Sequence, residues 1–188
     1  MKQLLTTYPE EFFARSTVAV ARDLIGVHLN RRLATGDVLT ATISEVEAYR
    51  QDDPASHSFR GETKRCQVMF GPPGRAYVYF IYGMYYCLNV VTEEIGTGGA
   101  VLIRGLLAEG LNGPGKICRQ WQIDKRFNGT NLLDPASDLW LSKPHKKVEH
   151  PIEVSPRIGI SKATDKLWRF YIKQEPTKGR SLQRARAR

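Results

Sequence analysis

Cysteine is scarce in this 188-residue chain. Cys66, Cys87 and Cys118 are odd in number and widely spaced, with no Cys-x-x-Cys pair, so neither a disulfide framework nor a zinc ribbon is indicated. They are expected to be reduced and structural. No apolar run approaches the roughly 20 residues of a membrane span, and Met1-Lys2-Gln3-Leu4-Leu5 lacks the apolar core of a secretory leader. A soluble, intracellular protein that uses no membrane is expected. His28, His57, His145 and His150 are scattered, and no His-Glu-x-x-His motif or partnering cysteine joins them, so no metal centre is indicated. Acidic residues are outnumbered: 28 Lys and Arg against 19 Asp and Glu give +9 and a pI near 9.6, the electrostatic footprint of a polyphosphate binder. The same charge also suits an anionic lipid surface or a ribosomal contact.

Tyrosine, by contrast, is concentrated. Five of the eight fall in Tyr77-Val-Tyr-Phe-Ile-Tyr-Gly-Met-Tyr-Tyr86, a stretch that reads as two short strands turning at Tyr82-Gly83-Met84. A core rarely wants so many hydroxyls, each needing a partner, and rings crowded on a basic protein point to stacking on something flat, such as nucleic acid bases.

Other segments are more ordinary. Ser16 to Gly26 offers a capping serine, apolar Val18, Ala21, Leu24 and Ile25, and a terminal glycine, which predicts an amphipathic helix. Val38 to Tyr49 alternates, placing Leu39, Ala41, Ile43, Glu45, Glu47 and Tyr49 on one face of a strand. Gln51 to Gly74 is polar and rich in Gly and Pro, as expected of a long, functional loop. Ala100–Leu107 reads as a strand, Lys116–Ile123 as a short helix, and Arg157–Ile160 and Trp168–Ile172 as late strands. Together these predict an α+β (mixed α/β) fold: one compact domain over residues 1–175, built on a curved, mainly antiparallel sheet with surrounding helices and a protruding aromatic hairpin. Residues 176–188 are expected to be a mobile basic tail.

Two motifs bear on chemistry. Glu47 and Tyr49 share a strand face beside a loop carrying His57. A carboxylate at a strand end among aromatics either acts as a general base in a poorly hydrated pocket or is simply solvated, and Glu45, on the same face, is expected to meet solvent or Lys and Arg. A lone loop histidine such as His57 is more often a capping or hydrogen-bonding residue than a ligand. Gly110-Leu-Asn-Gly-Pro-Gly-Lys116-Ile117 has Walker A spacing, but Ile117 replaces the magnesium-binding hydroxyl and Pro114 removes a phosphate-cradling donor, which argues against a nucleotide hydrolase.

Glu47-Ala-Tyr49, His57, Met69-Phe70-Gly71, the block from Tyr77 to Asn89, Leu102-Ile-Arg104, Gly113-Pro-Gly-Lys116 and Arg157-Ile-Gly159 occur in that order. With them the chain closely resembles the alkyladenine (3-methyladenine) DNA glycosylase family from about Phe12 to Ile172. The resemblance implies a monofunctional enzyme, without metal or organic cofactor, that flips damaged purines (3-methyladenine, 7-methylguanine, hypoxanthine or ethenoadenine) out of duplex DNA and hydrolyses the bond to the sugar. It implies Glu47 as the base activating a water, with Arg104 and the main-chain carbonyl of Ile158 holding that water. Tyr49 on one side and Tyr79 with His57 on the other would stack on the base, Asn89 would exclude guanine, and Tyr82 would fill the gap in the helix. Thr63, Arg65, Met69 and Lys116 are candidates for contacts along the DNA backbone. Departures lie in the same region: Thr63-Lys64-Arg65-Cys66 stands where the family usually has Thr-Pro-Arg-Asn, and Arg75 where a histidine is common. A monomer in the bacterial cytoplasm, at the nucleoid, is expected, or in the nucleus for a eukaryotic source. The rival reading is a lesion-binding DNA protein without catalysis.

Overall fold

The computed structural model describes residues 7–144 and 151–173. Helix α1 (Thr17–Leu24) leads into strands β1 (His28–Arg32) and β2 (Val38–Tyr49). The hairpin of β3 (Ala76–Ile81) and β4 (Tyr85–Val91) comes next, then β5 (Ala100–Leu106), α2 (Pro114–Gln120), β6 (Leu139–Ser142), β7 (Ile152–Ser155) and β8 (Arg169–Ile172). These strands form one sheet in the order β3-β4-β5-β2-β1-β6, with β8 added to β2 and β7 to β8. Every pairing between them is antiparallel, and the sheet curls into a half-barrel. The mixed α+β architecture with a curved antiparallel sheet and an aromatic hairpin is the one expected.

Strand β2 organises the sheet. Its first half pairs with β1, whereas Ile43–Tyr49 pairs with β5 and Glu45–Glu47 also with β8. The register shifts on either side of Glu45, a bulge that re-aims the side chains around it. Gly105 lies opposite, where a Cβ would come within 3.0 Å of the Glu45 Cβ and 3.1 Å of the Ser44 Oγ.

Two helices cover the sheet. Helix α1 buries Thr17, Val20, Ala21 and Leu24 on β2 and β5, and α2 buries Ile117 and Cys118 against β4 and β5. A second, smaller cluster of Cys66, Met69, Phe70, Tyr77, Val91 and Ala100 ties the long loop to the hairpin, with Tyr79 packed against it. The loop folds through a 3₁₀ turn at Gln67–Phe70.

Several expectations need correction. Ser16 makes no capping bond through its side chain. The Glu93 Oε1 caps α1 instead, accepting the Thr17 N–H and the Thr17 hydroxyl, both at 2.7 Å, and Thr92 Oγ1 donates to Thr17 Oγ1 at 2.9 Å. Gly26 (φ 93) ends the helix as expected. Helix α2 begins at Pro114, whose ring suits the first turn, rather than at Lys116. Residues 157–160 form no strand, because Gly159 turns with φ 75 and the Arg157 side chain is drawn into the interior. The tail at 176–188, His145 and His150 lie outside the described residues.

Glu93 reaches α1 from 76 residues away, so its loss tests the cap in isolation. Glu93→Ala is expected to lower unfolding stability by about 1 kcal/mol, measured as a shift in urea midpoint at unchanged slope. An unchanged midpoint would show that the cap contributes nothing.

Candidate active site

Glu47 is fully buried near the end of β2, where an unpartnered carboxylate would be costly. It has partners on both oxygens. The Tyr49 hydroxyl donates to Oε2 at 2.8 Å and the main-chain N–H of Ile158 to Oε1 at 2.7 Å. The Arg104 guanidinium lies 3.4 Å from each oxygen. Arg104 Nε also donates to Glu45 Oε1 at 3.2 Å, which takes a second bond from Arg169 Nε at 2.7 Å. Glu45 thus meets arginines, as expected, and the two carboxylates share the Arg104 guanidinium. Glu47 is not a solvated strand carboxylate. The group of Ile158 that meets Glu47 is its main-chain amide.

A cavity of about 560 Å³ opens above this group, with Tyr49, Arg104 and Ile158 in its wall. Its volume lies in the range of small-molecule sites. Tyr79, His57 and Asn89 also line it, so the expected base-pocket residues come together. His57 packs edge-on to Tyr79 with ring centroids 4.6 Å apart, and its Nδ1 lies 2.9 Å from the Tyr77 hydroxyl. Asn89, buried, donates from Nδ2 to the Tyr77 carbonyl at 3.0 Å. Burial and then the charge of Glu47 push the Tyr49 phenol well above its ordinary value, and burial with Cys87 does the same to Tyr79. Both rings stay protonated and uncharged. Burial pushes Tyr77 up to about 12. His57 is driven down to about 4, by burial first and by Arg65 second, so its imidazole is neutral at physiological pH.

At the cavity mouth stands the hairpin tip. Met84 N–H bonds to Ile81 O at 3.2 Å, closing a turn whose central residues both have positive φ, Tyr82 (54) and Gly83 (67). That is the pattern of a type I′ turn, whose twist matches its flanking strands. Tyr82 is 76% exposed, and Phe80, Met84 and Tyr85 beside it are exposed too. Below the tip, Gly115 lets the Tyr85 ring lie on the start of α2, since a Cβ there would come within 3.0 Å of the ring.

The backbone candidates separate. Lys116 is exposed on the rim, with Nζ 2.8 Å from Asn112 Oδ1. Arg65 is exposed and lies over the Tyr79 ring at 5.7 Å. Thr63 sits on the outer loop with its hydroxyl 3.1 Å from Cys66 Sγ, and Met69 is buried and lines the cavity from within. Ile117 is a core residue at the start of a helix that follows an antiparallel strand, so the Walker-like spacing does not form a phosphate loop. Among the described residues no group of three or more His, Cys, Asp or Glu side chains could hold a metal, and no helix is long and apolar enough to cross a membrane.

Sequence reasoning missed one pair. Arg157 and Asp53 form an ion pair with both side chains fully buried, directly behind Tyr49. Arg157 opens the Arg157-Ile-Gly159 motif and Asp53 lies in the loop before His57, but nothing in the sequence joins them, and charged residues in loops ordinarily face water.

Residues 11–176 match the family described as methylpurine-DNA glycosylase. The chain is 44% identical over 182 residues to a Carboxydothermus hydrogenoformans protein named "Putative 3-methyladenine DNA glycosylase", a match covering 88% of this chain and 94% of that one. Proteins of the same name from Ehrlichia chaffeensis (48% over 171 residues; 87% and 91% covered) and Legionella pneumophila (45% over 177; 89% and 95%) are similarly related.

The depressed His57 gives a measurable titration. Its imidazole is expected to protonate near pH 4 by NMR, and Arg65→Ala to move the midpoint upward. Because the unfolded chain takes up this proton near 6.5 and the folded one only near 4, stability should fall as pH drops through that window. A His57 midpoint at 6.5 would contradict the burial and charge assigned to it.

Proposed function

The chain belongs to the methylpurine-DNA glycosylase family, and on that footing we propose that it is a monofunctional glycosylase of base excision repair. It would release alkylated or deaminated purines from duplex DNA and leave an abasic site. The observation that carries this reading is the arrangement at Glu47: a buried carboxylate held by Tyr49, Ile158 and Arg104 at the foot of an aromatic cavity, below an exposed tyrosine.

Each part has a physical role. A purine inside the stack cannot be reached, so it must be extruded, and the stacking it loses must be replaced. Tyr82, projected by a tight turn, suits the vacated space in the duplex. The extruded base would lie between the Tyr49 ring and Tyr79 with His57. Alkylated purines are cationic, and the electron-rich faces of uncharged tyrosines attract them over normal bases by about 0.5–2 kcal/mol per contact. A neutral His57 adds no opposing charge.

Glu47 would take a proton from the attacking water and balance the positive charge that develops on the sugar as its bond to the base breaks. Oε2 already accepts two hydrogen bonds, from Tyr49 and Arg104, whereas Oε1 accepts one, from Ile158, and keeps a lone pair for that water. In the free protein Tyr49, Arg104 and Ile158 cover the carboxylate, so water comes within its reach only as one of them shifts when DNA is held. Among the described residues the one lysine in the cavity wall, Lys116, lies at the rim bonded to Asn112, which supports hydrolysis over a lysine-mediated strand break. A non-catalytic lesion binder has no use for a buried carboxylate near DNA's negative backbone. The bacterial relatives support a role in the cytoplasm, where the protein would act at the nucleoid as a monomer.

Single-turnover release of free base from duplexes containing 7-methylguanine or hypoxanthine tests the reading. Wild type should release base, with strand breaks only after alkali, and Glu47→Gln should release none while still binding lesion DNA. Near-normal turnover by the variant would remove Glu47 as the base. Tyr82→Ser should weaken binding to lesion DNA more than to undamaged duplex, because only the flipped state has a gap for the ring; equal losses on both would remove Tyr82 from that role.

A further inference from the structure

We infer that the buried Arg157–Asp53 ion pair is the positioning element of this site, setting the angle of the Tyr49 wall and presenting the Ile158 amide to Glu47. The inference rests on the glycosylase reading above.

Arg157 grips Asp53 through both terminal nitrogens, with Nη2 3.1 Å from Oδ1 and Nη1 on Oδ2. This two-pronged bond fixes orientation as well as distance. The same Nη1 donates to the Ala48 carbonyl at 2.9 Å, between Glu47 and Tyr49 on β2. The guanidinium carbon lies 4.7 Å from the Tyr49 ring centre and 5.2 Å from that of Trp168. Tyr49 therefore has a fixed cation at its back, holding its other face toward the cavity. On the far side, Asp53 Oδ1 accepts the Ala55 N–H at 3.1 Å and its carbonyl the Ser56 N–H at 2.8 Å, shaping the turn that delivers His57. One pair thus ties both walls of the cavity.

It also anchors the segment that reaches Glu47. Residues 157–160 belong to no strand, Ile158 is half exposed and Gly159 turns with positive φ. The Ile158 N–H nonetheless meets Glu47 at 2.7 Å, one residue after the buried guanidinium. Stability is a poor reason for such a pair, since well-packed apolar replacements of buried ion pairs are often neutral or stabilising. Arg157 Nε is moreover buried without a partner. What the pair supplies that apolar packing does not is direction.

The experiment compares wild type, Glu47→Gln, Asp53→Asn, Arg157→Lys and the double variant Asp53→Asn/Arg157→Lys. Three quantities are read: single-turnover base release at saturating protein, affinity for lesion DNA, and the Ile158 amide resonance. Each single variant should remain folded at assay temperature, bind lesion DNA within about threefold of wild type, and release base about 10²-fold more slowly, the loss expected of ångström-scale misplacement. The double variant should be no slower than the worse single one, because the two residues act as a unit. The Ile158 amide should move in both single variants, and in Glu47→Gln as well.

Folded variants with near wild-type rates, losses that multiply in the double variant, or an unmoved Ile158 amide would each overturn the inference. So would failure of all three Asp53 and Arg157 variants to fold, which would make the pair a requirement of the whole fold. If wild type itself releases no base, the glycosylase reading fails, and the Ile158 resonance alone still decides whether the pair positions that amide.

Discussion

A carboxylate taken wholly out of water dictates much of what surrounds it. Glu47 can be buried only if donors and a cation arrive with it, and they come from three separate parts of the chain: Tyr49 two residues on, Arg104 across the sheet on β5, and Ile158 in a late loop. The half-barrel brings these parts together. Strand β2 pairs with β5 and β8 over the same few residues, so Arg104 from β5 reaches both Glu45 and Glu47, and Arg169 from β8 reaches Glu45. The bulge re-aims Glu45, and the missing side chain at Gly105 leaves room for it.

The hairpin is the second constraint. Its inner end helps form the core, with Ala76 and Val78 buried, while Tyr79 and Asn89 line the cavity and the tip stands in solvent. A single two-stranded element thus spans the distance from packed interior to exposed aromatic, and displacement of the tip would be felt in the cavity wall. The smaller apolar cluster under Tyr77 steadies this element and also holds the loop that carries the departures at Lys64 and Cys66. Those two residues differ in their surroundings: Cys66 is buried, near the Thr63 hydroxyl, and Lys64 is exposed. Only Lys64 alters the surface.

What could be read from the sequence was local. Strand β2 and the hairpin follow their alternation and their tyrosine and branched residues; the limits of β2 agree with the structure, whereas the second hairpin strand runs on to Val91, five residues past the tyrosine-rich stretch. Strand β1, His28-Leu-Asn-Arg-Arg, was invisible because its polar residues suggest surface. In the fold Asn30 is buried against the Trp140 carbonyl and Ser142, and Arg31 donates to the Trp121 carbonyl and packs over Phe127. Strands β6 and β7 are four residues each, too short for a period to emerge. Arg157-Ile-Gly-Ile misled in the opposite sense, since its alternation suggested a strand where a buried arginine and a turning glycine make an anchored loop. Residues of the site were legible through their likeness to a known family. The cap from Glu93, the amide of Ile158 and the pairing of Arg157 with Asp53 were not, because each depends on groups that meet only after the chain has folded.

Tyr82 occupies a backbone conformation that a bulky residue adopts at a cost, one that suits asparagine or glycine far better. Selection for folding alone would erode the aromatic at this position, and a stabilising redesign of the chain would choose the same replacements. On the role proposed for Tyr82, stability and activity would pull in opposite directions on one residue, and a strained tyrosine at a hairpin tip would be the trace left by the side that prevailed.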